Sequence, residues 1–309
     1  SKEHPANGAA IEKLAAGTPY ADVLSVANRW LNEEDPSVMR LLTHWSLVSR
    51  EDSWELLASH VTREQLDTLE QVALEVLGED DPRYDLPPDE QWKAAIHDKV
   101  PRHSEQLRAG LAETLALLGA RPDRIPRAYS PEGRAARVVG RLLAKGIDWR
   151  RWASLSDQLP LLAEAAPEAF LDALEADLRR GEPETRRLFD QEGDSLFSSS
   201  PHTGLLWALE GLAWEPSLLS RVSLVLARLG QIDPGGRLTN RPMNSLQEIF
   251  RPWFPQTAAS VEQRIAVLGT LMKRLPDAGW QILRSLLPGD TDASDSTHRP
   301  SWRDWLANW

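Results

Sequence analysis

With 309 residues, 41% of them hydrophobic and 26% charged, the chain is long enough to bury a substantial core and too apolar to be a disordered segment. A net charge of -11 argues against a general nucleic-acid binder, which needs a basic surface to displace counterions. Zero cysteines exclude disulfides and thiolate metal sites and fit a cytoplasmic setting, and no apolar run approaches the ~18 residues a membrane span requires.

Leu and Ala carry most of the apolar content while the β-forming residues are sparse, so an all-α fold with no convincing strand is expected. Apolar spacing places the first helices at about 6–15, 19–31, 36–50, 52–60 and 63–77, giving an N-terminal helical unit over 1–78. The stretch 79–90, EDDPRYDLPPDE, has six acids, one Arg and three prolines, and reads as an acidic linker or a charged loop. A helical-repeat unit over 91–288 follows, with a helix at 89–99 overlapping its start. The later helices fall at 103–119, 131–145, 148–153, 155–165, 168–180, 184–190, 203–214, 217–230, 243–251, 260–274 and 277–287. Residues 289–309 form a polar linker, within LPGDTDASDSTHRPS, and a Trp-rich terminal helix at 301–308. The first residue is Ser and the last ones are aromatic, so the chain reads as a piece of a longer protein or a trimmed form of one.

Prolines punctuate this pattern. Thr18-Pro19, Asp35-Pro36, Ser130-Pro131 and Glu215-Pro216 look like helix starts, since the first helical position has no use for an amide hydrogen. In NEEDPSVMRLL, LAEAAPEAFLDAL, GLAWEPSLLSRV and LMKRLPDAGWQIL, a proline stands between two amphipathic stretches. It bends the chain into a helical hairpin whose leftover apolar face only another hairpin can cover. Stacking such hairpins gives an irregular α-solenoid. Pro167 and Pro216 are 49 residues apart and Pro216 and Pro276 are 60 apart, which excludes a strict tetratricopeptide or ankyrin period. These paired Leu-rich helices resemble HEAT and armadillo repeats, which implies a right-handed superhelix. SSSPHTGLLWALEGLAW, NRPMNSLQEIFRPWFPQT and DAGWQILRSLLP also make residues 160–288 look like the helical region of large bacterial NTPases of the STAND and antiviral-defence type. That likeness implies a sensor or scaffold segment of a larger protein.

The charge is uneven. Residues 121–151 hold nine Arg or Lys against three acids. Arg134, Arg137, Arg141 and Lys145 recur at helical spacing and, with Arg124, Arg127, Arg150 and Arg151, make the best candidate contact surface. Such a stripe suits an acidic protein partner or, against the net charge, a nucleic-acid backbone; a solvated face answering acidic neighbours gives the same pattern. The loops 198–202 and 240–244 are the most unusual in composition.

Two sequence features bear on catalysis. Gly193-Asp194-Ser195-Leu196 matches the four letters that name the GDSL hydrolases, and Asp295 and His298 have the D-x-x-H spacing of that family's partners. The resemblance implies a Ser195/His298/Asp295 hydrolase. Its context differs: PETRRLFDQ precedes Ser195 where the family has a buried strand, and no G-x-N-D follows. The seven histidines lack metal-ligand spacing, and no phosphate-binding glycine loop is present, so neither cofactor nor metal is expected. Among the 13 Trp, Trp207 and Trp214 share a helical face and are assigned to the core, while Trp302, Trp305 and Trp309 are expected to cover an end of the stack. The expected function is therefore a non-catalytic interaction module that binds a protein partner, with no membrane contact and an oligomeric state the sequence leaves open.

Overall fold

The structure, a computed structural model, describes residue 4, residues 6–42, 44–191, 200–287 and 296–307, and residue 309. Its N-terminal elements are α1 (Ala6–Leu14), α2 (Tyr20–Leu31), β1 (Val38–Leu41), β2 (His44–Leu47), α3 (Arg50–Leu57) and α4 (Arg63–Leu77). Next come α5 (Glu105–Ala120), α6 (Pro131–Leu142), α7 (Trp149–Ser154), α8 (Leu159–Ala165), α9 (Pro167–Leu178) and α10 (Arg186–Phe189). The last are α11 (His202–Leu212), α12 (Leu219–Ile232), α13 (Pro242–Phe250), α14 (Val261–Arg274) and α15 (Pro276–Ser285).

Local chemistry sets many of these boundaries. Proline opens α6, α9, α13 and α15 at the first turn, where its missing amide hydrogen costs nothing. Thr62 with Gln65 and Ser260 with Gln263 form capping boxes that satisfy the first amides of α4 and α14. Pro216 lies in the turn joining α11 to α12, and the two helices pack on each other.

Among the described residues the fold is all-α apart from one hairpin. Consecutive helices pair as α5 with α6, α8 with α9, α11 with α12 and α14 with α15. Across these pairs α8 lies between α5 and α11, and α9 lies between α6 and α12. Helix α8 is only seven residues long, and six of them are buried. Two glycines permit close approach, Gly119 to α8 itself and Gly204 to the turn at residues 156–158 that leads into α8. A Cβ on Gly119 of α5 would stand 1.9 Å from the Ala165 carbonyl oxygen, and one on Gly204 of α11 would stand 1.9 Å from the Ser156 carbonyl oxygen.

Buried polar groups lock the rows. Arg108 of α5 donates to the carbonyls of Val76 at 2.7 Å and Ser154 at 2.8 Å, so one guanidinium caps the end of α4 and holds α7. Arg221 of α12 reaches Glu168, Asp172 at 2.7 Å and Glu175 at 2.8 Å along α9. The acidic stretch 79–90 is held against α7: the Asp81 amide donates to Ser154 Oγ at 2.7 Å, and the buried Tyr84 hydroxyl donates to the Ala153 carbonyl at 3.1 Å.

Three expected helices are absent. Residues 36–50 form an antiparallel hairpin in which Val38 faces Leu47 and Arg40 faces Trp45, and the Arg40 guanidinium lies 5.4 Å from the Trp45 ring centre. Val38, Trp45 and Val48 are strand formers, and the cross-strand cation–π pair rewards that choice. Residues 89–99 give a short 3-10 turn at Gln91–Lys93 followed by open turns, with Trp92 and Ile96 exposed. An eleven-residue amphipathic stretch with no surface to bury against does not nucleate a stable helix. Residues 301–307 are turns rather than helix, because the Ser301 and Trp302 amides are taken by a side chain of α8. Helix α6 also stops at Leu142, short of the expected 145, so Lys145 lies beyond it.

Candidate functional site

The basic stripe is largely engaged within the fold. Arg134, 7% exposed, bonds Glu70 and, at 2.7 Å, Asp67 of α4, while its Nε donates to the Tyr129 carbonyl at 2.8 Å. Arg137 adds a second bond to Glu70 at 3.0 Å. Arg151 pairs with Asp80 at 2.7 Å, Arg150 with Asp148 at 3.2 Å and Arg124 with Glu55. These pairs fasten α6 to α4 and the 148–151 turn to the acidic stretch. Arg127, Arg141 and Lys145 are exposed. Arg124 and Arg137 are exposed as well, despite their ion pairs.

Of the hydrolase triad only His298 lies among the described residues; Ser195 and Asp295 lie outside them. The His298 ring stacks on Trp207 with centroids 5.6 Å apart, and burial lowers its pKa. Among the described residues no group of three His, Asp or Glu is placed to hold a metal ion. The two unusual loops do meet, although Ser198 and Ser199 are outside the described residues. His202, fully buried and stacked on Phe189, bonds the Ser200 hydroxyl through Nδ1 and the Asn240 carbonyl through Nε2 at 3.1 Å.

The most developed constellation lies where the C-terminal segment crosses the row of α5, α8 and α11. Two buried glutamates receive it. Glu210 of α11, 6% exposed, accepts the His298 amide at 2.9 Å and the Ser245 hydroxyl at 2.6 Å. Glu164 of α8, 2% exposed, accepts the Ser301 and Trp302 amides, each at 2.8 Å, one on each carboxylate oxygen. Arg303 then donates to the Glu164 carbonyl at 2.9 Å and the Gly119 carbonyl of α5 at 3.0 Å. Trp214 Nε1 donates to the His298 carbonyl at 3.1 Å. Burial raises the pKa of both glutamates, while the bonds from the segment pull the other way.

Tryptophans frame this crossing. Trp214 is fully buried and meets the edge of Trp309 at 5.2 Å, and Arg299 lies over both rings. Trp207, assigned to the core from its spacing with Trp214, is instead 46% exposed under His298. Trp302 and Trp305 are half-buried and Trp309 remains exposed. The sequence does carry a signal for the glutamates, since each is a lone acid in an apolar helix, in LPLLAEAA and LLWALEGLAW. Their partners, 88 and 137 residues away, are not readable from local pattern.

No family model matches the chain, and comparison with curated proteins and with solved structures returned no match.

Proposed function

We propose that the chain is a non-catalytic interaction module, a protein-binding scaffold or sensor segment, built as an irregular HEAT-like stack of helical hairpins. The observation that carries this reading is the stretch of backbone laid across α5, α8 and α11, whose amides are taken by side chains of α8 and α11 and whose Arg303 reaches a carbonyl of α5. The paired packing of α5/α6, α8/α9 and α11/α12 in two rows supports the stack. Resemblance adds the setting, a segment of a larger bacterial defence NTPase.

Affinity capture with the tagged chain tests the reading. A stoichiometric protein partner is expected, and if the basic surface makes the contact, Arg141→Glu with Lys145→Glu releases it while circular dichroism is unchanged. Retention by that variant removes the basic surface. Labelling of Ser195 by a fluorophosphonate in the folded chain would overturn the non-catalytic assignment.

A further inference from the structure

A set of the contacts that hold the C-terminal segment is directed at its backbone. Glu210 and Glu164 take three amides, from His298, Ser301 and Trp302, and the Trp214 indole takes the His298 carbonyl. One side-chain requirement is at Arg303, which reaches two helix carbonyls; burial lowers its pKa, and Glu164, Glu132 and Glu215 partly offset that. Such a surface specifies a non-helical stretch of chain with two consecutive free amides and an arginine directly after them. Further side-chain contacts come from His298 stacked on Trp207, Arg299 over Trp214 and Asp304 with Arg121.

The receiving side is matched to donors on the segment. Glu164 and Glu210 are buried carboxylates, and removal of the segment would strip the amides from both. Glu210 would keep the Ser245 hydroxyl and Glu164 would lose both of its amide donors, so a strand that offers the same amides restores the bonds the segment makes. The acidic surroundings favour a basic replacement.

We propose that the row of α5, α8 and α11 is an exchangeable peptide-binding site, filled within the chain by residues 296–307 and able to accept a non-helical, arginine-bearing segment of a partner protein. The proposal rests on the interaction-module reading and names its site. The native segment is tethered, so it competes at an effective concentration of about millimolar, and an added peptide binds well only when the tethered copy is weakened.

The test uses the full chain and a fluorescent synthetic peptide with the sequence of residues 296–309. Arg303→Ala and, separately, Ser301→Pro, which deletes one donated amide, weaken the tethered segment without touching the receiving helices. Each is expected to bind the peptide at least about tenfold more tightly than the wild-type chain does, and adding Glu164→Ala to either is expected to abolish the gain. Folded variants that bind no more peptide than wild type overturn the proposal. Loss of folding in both variants also overturns it, because the segment would then be permanent core. Neither failure touches the basic-surface test, which uses different residues.

Discussion

The region from α2 to α3 and the region from α5 to α12 contain similar apolar residues and use them differently. In α2 and α3 no residue is buried, and Trp30, Met39, Leu41, Leu42, Leu56 and Leu57 are all exposed. In α8 and α11 nearly every residue is buried, and even the lone glutamates are turned inward. The contrast follows from neighbours. Helix α8 has a helix on each side and the terminal segment across it, whereas α2 has α1 and the two-stranded hairpin. Amphipathic pattern alone therefore says which residues want cover, and the stacking order decides which of them get it.

Substitutions sharpen this comparison. The largest effect is expected at Trp214→Ala, which empties a fully buried indole site between α11 and the terminal segment and should cost about 3–5 kcal/mol in chemical denaturation. Gly204→Ala comes next, because the new Cβ would meet a backbone oxygen that cannot swing away; a loss of about 3 kcal/mol is expected. A loss below about 0.5 kcal/mol would contradict the close approach of α11 to the turn at residues 156–158.

A pH series separates the buried glutamates from surface charge. Burial raises Glu210 and Glu164 in the folded chain above their unfolded value of about 4.3, so the folded state binds more protons in that window. Their contribution is fully present at lower pH and is lost as pH rises through the raised values. Glu210→Gln should flatten this fall in the urea midpoint between pH 4 and 7, and an unchanged slope would show that Glu210 does not titrate as placed. His298 acts in the opposite sense, its lowered pKa removing stability as pH falls below about 6.5.

The smallest effect has the reverse sign. Leu42 sits at the hairpin tip with φ 58° and is 85% exposed, a backbone conformation that disfavours a bulky side chain by roughly 1–2 kcal/mol. Leu42→Asn is expected to raise stability by about 0.5 kcal/mol, since Asn tolerates this region. A loss on that substitution would mean that Leu42 is covered.

Local sequence was enough where local chemistry decides. Residues 63–77 were legible to their ends because Thr62 and Gln65 build a capping box and an amphipathic face follows. It failed where a distant group decides. The hairpin at β1 and β2 brings Arg40 over Trp45 across the strands, and the terminal segment stays out of a helix because Glu164, more than a hundred residues earlier, takes its amides. At the basic stripe the sequence shows the spacing of Arg134 and Arg137 but not Glu70, which turns half of the stripe into an internal clamp.

Hydrogen exchange resolved to short fragments of the intact chain tests the central claim most directly. The account predicts that the Ser301 and Trp302 amides exchange far more slowly than those in an unstructured peptide, at a rate nearer α8 than the stretch from α2 to α3. Exchange of those two amides at the unprotected rate, with α8 itself protected, would contradict it.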